Sequence, residues 1–472
     1  MTENPVSVSQ ALTLERPVVS PRRLILPLAL AQFICSFAGS NMNVMINDIS
    51  DDLDTTVKGV QTTITLFLLI MAILMIPCSK LTDRWGRKRC FTWGLTLYGI
   101  GAVLSALSPG LGVLILGNSV LEGVGTALLI PPVYILATLW FTDFNSRAWA
   151  FGVISGLGGI GAAAGPLIGG IITTGISWRA AFIFQALVIV TIILLSRRLV
   201  DPLPPDPKRP FDAIGAILSG VGMFCVVFGI LQAGSNNLLF AVFLVIGAAF
   251  LGWFFLYIRA RERAGKEALL STGLFKNRTC NLALVTQNIQ WLVLMGTSFV
   301  VSVFLQTVRG YNAIQTGVIF TAATVGILVS SLAAERLAKK YPPKSLIVGG
   351  FVVTLAGIGL LLGLVYVSTR NVAFVPGLLL IGLGLGGMLT PSVNVVQSSF
   401  PEQLQGEISG LSRSVSNLGS SFGTAIAGTI LVSVVATGNR AYTWAMVAVA
   451  VFGLIGLGAA VLLPGKPERQ VG

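Results

Sequence analysis

The chain reads as an all-α integral membrane protein: two six-helix bundles related by pseudo-two-fold symmetry, plus an inserted helix pair, fourteen transmembrane helices in all. Three observations predict this. Of 472 residues, 54% are hydrophobic and 10% charged, with mean hydropathy +0.85, which is too little polar surface for a soluble domain of this size. Apolar runs of about 20 residues, the length of a bilayer-crossing helix, recur along nearly the whole chain without strand-like alternation. Finally, Ser79 to Arg89 places six charges between two such runs, and a worn copy returns 252 positions later as Ser331 to Tyr341. There Glu335, Arg336, Lys339 and Lys340 stand where Asp83, Arg84, Arg87 and Lys88 stood.

Each span has its own justification. The first, 24–46, is a full-length apolar run behind a polar segment, 1–23, and lacks a small-residue cleavage site, so it is read as a retained helix. The second and third, 60–78 and 90–107, flank the charged segment, and the fourth to sixth, 112–138, 149–174 and 179–196, complete a first half at 24–198. Residues 201–210 form a proline-stiffened linker, followed by spans 213–232 and 238–258 and a second, basic linker at 259–277. The second half, 281–464, holds 281–306, 315–334, 345–366, 373–398, 408–435 and 443–464, before a short tail at 465–472.

The duplication extends through both halves. Gln61-Thr62 reappears as Gln315-Thr316, Pro132 and Phe141 as Pro391 and Phe400, and Gly161, Gly165 and Gly170 as Gly419, Gly423 and Gly428. Offsets of 252 to 259 exceed six helices of about 20 residues with short loops. The pair within 199–280 is therefore an insertion between the halves.

An even number of spans puts both termini on one side. Placing them in the cytoplasm leaves Lys58, Arg179, Arg309, Arg370 and Arg440 outside and 26 of the 31 Lys and Arg inside. This is the positive-inside pattern of a multi-pass protein of the cytoplasmic membrane, and it explains the basic balance without a nucleic-acid partner. Five cysteines without metal spacing read as packing residues, and there is no histidine. Gly265-Lys266-Glu267 lacks the glycine spacing and the Ser/Thr of a phosphate loop. No metal, cofactor, ATP hydrolysis or catalytic constellation is expected; the chain does not read as an enzyme.

Two six-helix halves with a charged loop between the second and third helices resemble the major facilitator superfamily, and the inserted pair is similar to its fourteen-span drug:proton antiporter branch. The resemblance runs from about Leu24 to Leu463. Its most specific piece is Asp83-Arg84-Trp85-Gly86-Arg87-Lys88-Arg89, although Ser79 replaces the usual leading glycine. Gly161-Ala-Ala-Ala-Gly165-Pro166-Leu-Ile-Gly169-Gly170 looks like the antiporter motif of the fifth helix, and Trp178-Arg179 also fits. The chain departs from the branch at two usual proton-handling positions, where it has Ala38 in the first helix and Ser119 in the fourth.

The same residues have a physical reading. Asp83 can cap a helix terminus and pair with Arg84 or Arg87, with Gly86, Lys88 and the copy residues Glu335 and Arg336 completing a conformational latch between the halves. Gly161, Gly165 and Gly169 present a ridge of bare backbone that admits a close neighbour. Pro166 removes a backbone donor, and with Gly170 the run reads as a hinge. Glu122 lies about ten residues inside the fourth span, where an acid is expensive unless it is paired or serves a pathway. It is the expected proton or substrate site, with Asn118 and Ser119 on its helical face. Asn43, Gln287, Gln290, Trp291, Asn394 and Gln397 are the expected polar lining of a cavity for an amphiphilic solute. Arg413, two turns inside its span, is expected to snorkel to the cytoplasmic surface, the alternative being that it meets an anionic group of the substrate.

The expectation is a secondary active transporter, not an enzyme, that exports a small amphiphilic organic compound or drug by proton antiport with alternating access and works as a monomer. The alternatives are a facilitator or a lipid or metabolite transporter without proton coupling, and a receptor or scaffold that keeps the fold and carries nothing.

Overall fold

A computed structural model describes residues 21–141, 144–197, 199–202, 204–208, 210–233, 235–338, 340–367, 371–400, 405–433 and 439–465. Among these, fourteen long helices follow one another: α1 (Pro21–Asn41), α2 (Val57–Trp85), α3 (Arg87–Ala106), α4 (Leu111–Trp140), α5 (Phe144–Gly175), α6 (Trp178–Ser196), α7 (Ala213–Gln232), α8 (Asn237–Arg263), α9 (Arg278–Val308), α10 (Ala313–Ala338), α11 (Pro343–Val367), α12 (Phe374–Ser398), α13 (Gln405–Ser433) and α14 (Asn439–Val461). Eleven of the described helices are long and apolar enough to cross a membrane, and the two arms of α5 make a twelfth. Starts are fixed by capping side chains that accept from otherwise orphaned N–H groups: Thr56 for α2, Ser177 for α6, Asp212 for α7, Asn236 for α8 and Asn277 for α9.

The two halves pack alike. In the first, α1 lies on α5 and α3 on α4 and α6; in the second, α9 lies on α13 and α11 on α12 and α14. The halves meet along α2 with α13 and α5 with α10. The repeated glycines make the same contacts on both sides of this symmetry. A Cβ at Gly161 would strike the Phe33 carbonyl of α1, and one at Gly419 the Asn288 carbonyl of α9. One at Gly170 would meet Ala313 of α10 across the seam, and one at Gly428 would meet Gln61 of α2.

The inserted helices pair with each other, and α7 packs on both α2 and α13. There Leu69, Val227, Leu231 and Ala425 form one apolar cluster over the seam. Only 11% of the α8 membrane window is buried, so this helix presents its surface outward, as a lipid-facing helix does.

Candidate functional site

Glu122 is fully buried, and side chains of α3 and of its own helix hydrogen-bond it. Asn118 Nδ2 donates to Oε2 at 3.3 Å and Ser105 Oγ to Oε1 at 3.4 Å. Gly101 on α3 makes the room, since a Cβ there would meet Glu122 Cγ. Beside it, buried Tyr98 donates to Gln185 Oε1 of α6 at 2.5 Å. Among the described residues no cation pairs with Glu122, and all these partners belong to the first half.

The expected Asn118 contact is present, but Ser119 faces the other way and donates to the Thr63 carbonyl of α2 at 2.7 Å. The cause is local. Residues Ile115–Glu122 wind as a π-helix, so the residue three places before Glu122 is rotated off its face.

In the charged loop, Gly86 at φ 95° turns the chain between α2 and α3, a conformation that favours glycine. Arg87 Nη2 donates to Asp83 Oδ1 at 2.8 Å. The carboxylate that caps α3 is Asp201, from the proline-rich linker, which accepts from Arg87 N at 2.6 Å and Lys88 N at 3.4 Å. Lys88 Nζ donates to the Arg197 carbonyl at 3.2 Å. A link across the halves on this face is Lys80 with Glu407 at 3.2 Å, where Glu407 also accepts from Ser271 N at 3.4 Å. Arg84 is half-buried and Arg336 exposed, and the side chains of Glu335 and Lys339 lie outside the described residues.

The antiporter-like ridge has two working faces. Gly161, Gly165 and Gly169 admit α1, while Pro166 and Gly170 meet Gly317 and Ala313 of α10. The two arms of α5, Gly152–Ala162 and Ala164–Gly175, are bent by 42° just before Pro166, as a missing backbone donor allows. At this end Thr174 Oγ1 accepts from Ile314 N at 3.1 Å.

The expected cavity residues divide. Gln287 accepts from Ser412 Oγ at 2.9 Å and Gln290 donates to Ser392 Oγ, and their neighbour Asn288 donates to the Val415 carbonyl at 2.8 Å, all tying helices within the second half. Trp291 and Gln397 are half-buried and Asn394 is exposed, the latter two near one end of α12. Asn43 is buried, and its carbonyl accepts from Gln306 Nε2 at 2.9 Å and from Ser302 Oγ, joining the turn after α1 to α9. All five cysteines are free and buried, as packing residues are.

Arg413 does not snorkel. Its guanidinium crosses the seam to α4, donating from Nη2 to the Tyr134 hydroxyl, with its carbon 4.5 Å from the ring centroid. Tyr134 in turn donates to Gln32 Oε1 of α1 at 3.2 Å. Sequence reading missed Asp201, Gln306, Glu407 and Tyr134, because each matters through a partner distant in the chain. The one available signal was a polar residue inside an apolar run, as at Gln306.

Two pseudo-symmetric helical bundles, meeting along paired seams with polar groups between them, define a multi-pass transport protein of the two-bundle kind. The chain belongs to the Major Facilitator Superfamily, whose family model matches residues 28–424 and again 283–471. It is 29% identical to the puromycin resistance protein of Streptomyces alboniger over 87% of this chain and 82% of that one. It is also 29% identical to the multidrug efflux pump LfrA of Mycolicibacterium smegmatis, over 78% and 72%. The fold is similar to the crystal structure of a peptide transporter, with TM-score 0.70, 16% identity and coverage of 94% of this chain and 95% of that one. It is a non-enzymatic transporter of small molecules.

Proposed function

We propose that the chain exports a small amphiphilic organic compound of the drug class in exchange for protons, rocking its two halves about a central path as a fourteen-span monomer. Its termini and charged loop lie on the cytoplasmic side of the cell membrane. The observation that carries proton coupling is Glu122, fully buried, held by neutral donors that include Asn118 and Ser105, and paired with no cation among the described residues. A bare carboxylate so placed is costly, so the group carries its proton in this conformation and releases it when the α3 and α4 interface loosens. The resistance and efflux proteins it resembles support the substrate class.

The test is drug uptake into proteoliposomes with an imposed pH gradient, with puromycin as the first probe. Wild type accumulates it. Glu122→Gln abolishes the gradient-driven component while the folded protein remains extractable, and wild-type rates in that variant would refute the assignment. A second reading, a facilitator or metabolite transporter without proton coupling, is favoured by the enclosure of Glu122 wholly within one half. Flux unaffected by collapse of the proton gradient selects it.

A further inference from the structure

We propose that Arg413, Tyr134 and Gln32 form a recognition site for an acidic group, a carboxylate first, carried by an amphiphilic substrate. The proposal rests on the transport reading above and names the substrate's charge.

Arg413 lies eight residues into α13 from Gln405, about 12 Å along the helix, too deep for a cation without a reason to be there. It is half-buried, and among the described residues it makes no ion pair. Among the described residues its hydrogen bond goes to the Tyr134 hydroxyl and its ring contact to the Tyr134 ring. A guanidinium has five N–H donors in a planar fork, and among the described residues one of them is engaged. Glu122, the acid at mid-depth, is enclosed between α3 and α4 with other partners. The charge available where α13 meets α4 is therefore positive, and a low-dielectric setting makes it attract anions and repel cations.

A brace between halves does not need this residue type. An apolar side chain would cross-link α13 and α4 without stranding a charge, whereas the fork suits two carboxylate oxygens at once. Tyr134 also supplies an aromatic face for the substrate's apolar body. Gln32 is 8% exposed; it holds the Tyr134 hydroxyl, and its own Nε2 donates to Ser36 Oγ at 3.1 Å. A carboxylate bound to Arg413 would replace the Tyr134 hydroxyl as acceptor. That exchange releases α13 from α4, so recognition of the acidic group loosens the seam that must open for transport.

The experiment compares two dyes on one xanthene scaffold, anionic fluorescein and cationic tetramethylrhodamine methyl ester. Binding is read by anisotropy on the purified full chain and flux in proteoliposomes. Wild type should bind fluorescein about tenfold more tightly, the worth of a charge-assisted hydrogen bond. Arg413→Gln should lose that preference, and Arg413→Lys should keep part of it. Tyr134→Phe, which retains the ring and removes the competing hydroxyl, should tighten fluorescein binding and covers the case in which Arg413→Gln fails to fold. Equal affinities in wild type, an anion preference that survives Arg413→Gln, or weaker fluorescein binding in Tyr134→Phe overturns the proposal. Flux of the cationic dye with fluorescein excluded sinks this site alone; absence of flux for both dyes sinks the transport reading with it.

Discussion

Gln306 on α9 clamps the segment that follows α1 with both ends of its amide: Nε2 donates to the Asn43 carbonyl at 2.9 Å, and Oε1 accepts from Asn47 N at 3.2 Å. The clamp joins the halves on the face opposite the charged loop. Gln306→Leu leaves Asn47 N without this acceptor and takes one of two donors from the Asn43 carbonyl, which keeps Ser302 Oγ, at a cost of about 1–3 kcal/mol, and should raise the open population on this face about tenfold or more. The check is maleimide labelling of Met45→Cys, a position with no exposed surface here; unchanged labelling would contradict the role.

Asp52 and Arg179 form a second clasp on that face. Arg179 pairs with Asp52, Trp178 Nε1 donates to the same oxygen at 3.0 Å, and Arg179 Nη2 reaches the Ser108 carbonyl at 3.0 Å. The Arg179 hydrogen bond, with Trp178 adding to it, holds the Asp52 carboxyl below its usual value. A depressed folded-state value contributes stability above the unfolded carboxylate pKa of about 3.9, and this is lost as pH falls through the folded one. Melting curves between about pH 6 and pH 3 should therefore show an acid-dependent loss that Arg179→Met reduces.

Asp201→Ala should remove the cap of α3 and the partner of the Arg87 and Lys88 amides, costing about 1–2 kcal/mol. The readout is thermal unfolding in detergent. Equal stability of the variant would mean that Asp201 is dispensable to this helix terminus.

Lys80 and Glu407 should couple across the seam by about 1 kcal/mol or less, and more weakly in high salt, because the pair is partly solvated. A double-mutant cycle with Lys80→Gln and Glu407→Gln measures it. Strict additivity of the two single changes would remove the pair from any account of the latch.

The two faces of the α5 ridge should separate by phenotype. Gly165→Val forces a side chain against Phe37 and Ser40 inside the first half and should lower stability by about 1–3 kcal/mol. Gly170→Val meets Ala313 of the other half and should instead hold the α5 and α10 seam open, read as solute leak in proteoliposomes. A stability loss for Gly170→Val without leak would argue against a sealing role.

Composition and the run of apolar segments were enough to specify helices in a membrane, and the charged-loop copy with the repeated glycines was enough to specify two related halves. These are properties of local hydrophobicity and of spacing, which a chain carries whatever its partners. Tertiary structure decided where side chains point. Ser119 turns from Glu122 because a π-helical turn changes the angular period, Asp201 displaces Asp83 as the α3 cap because the linker returns to that helix start, and Arg413 crosses to Tyr134 because α4 stands opposite it. Such pairings join residues up to 279 positions apart, and a periodicity read along one helix holds no record of the neighbour that folding brings against it.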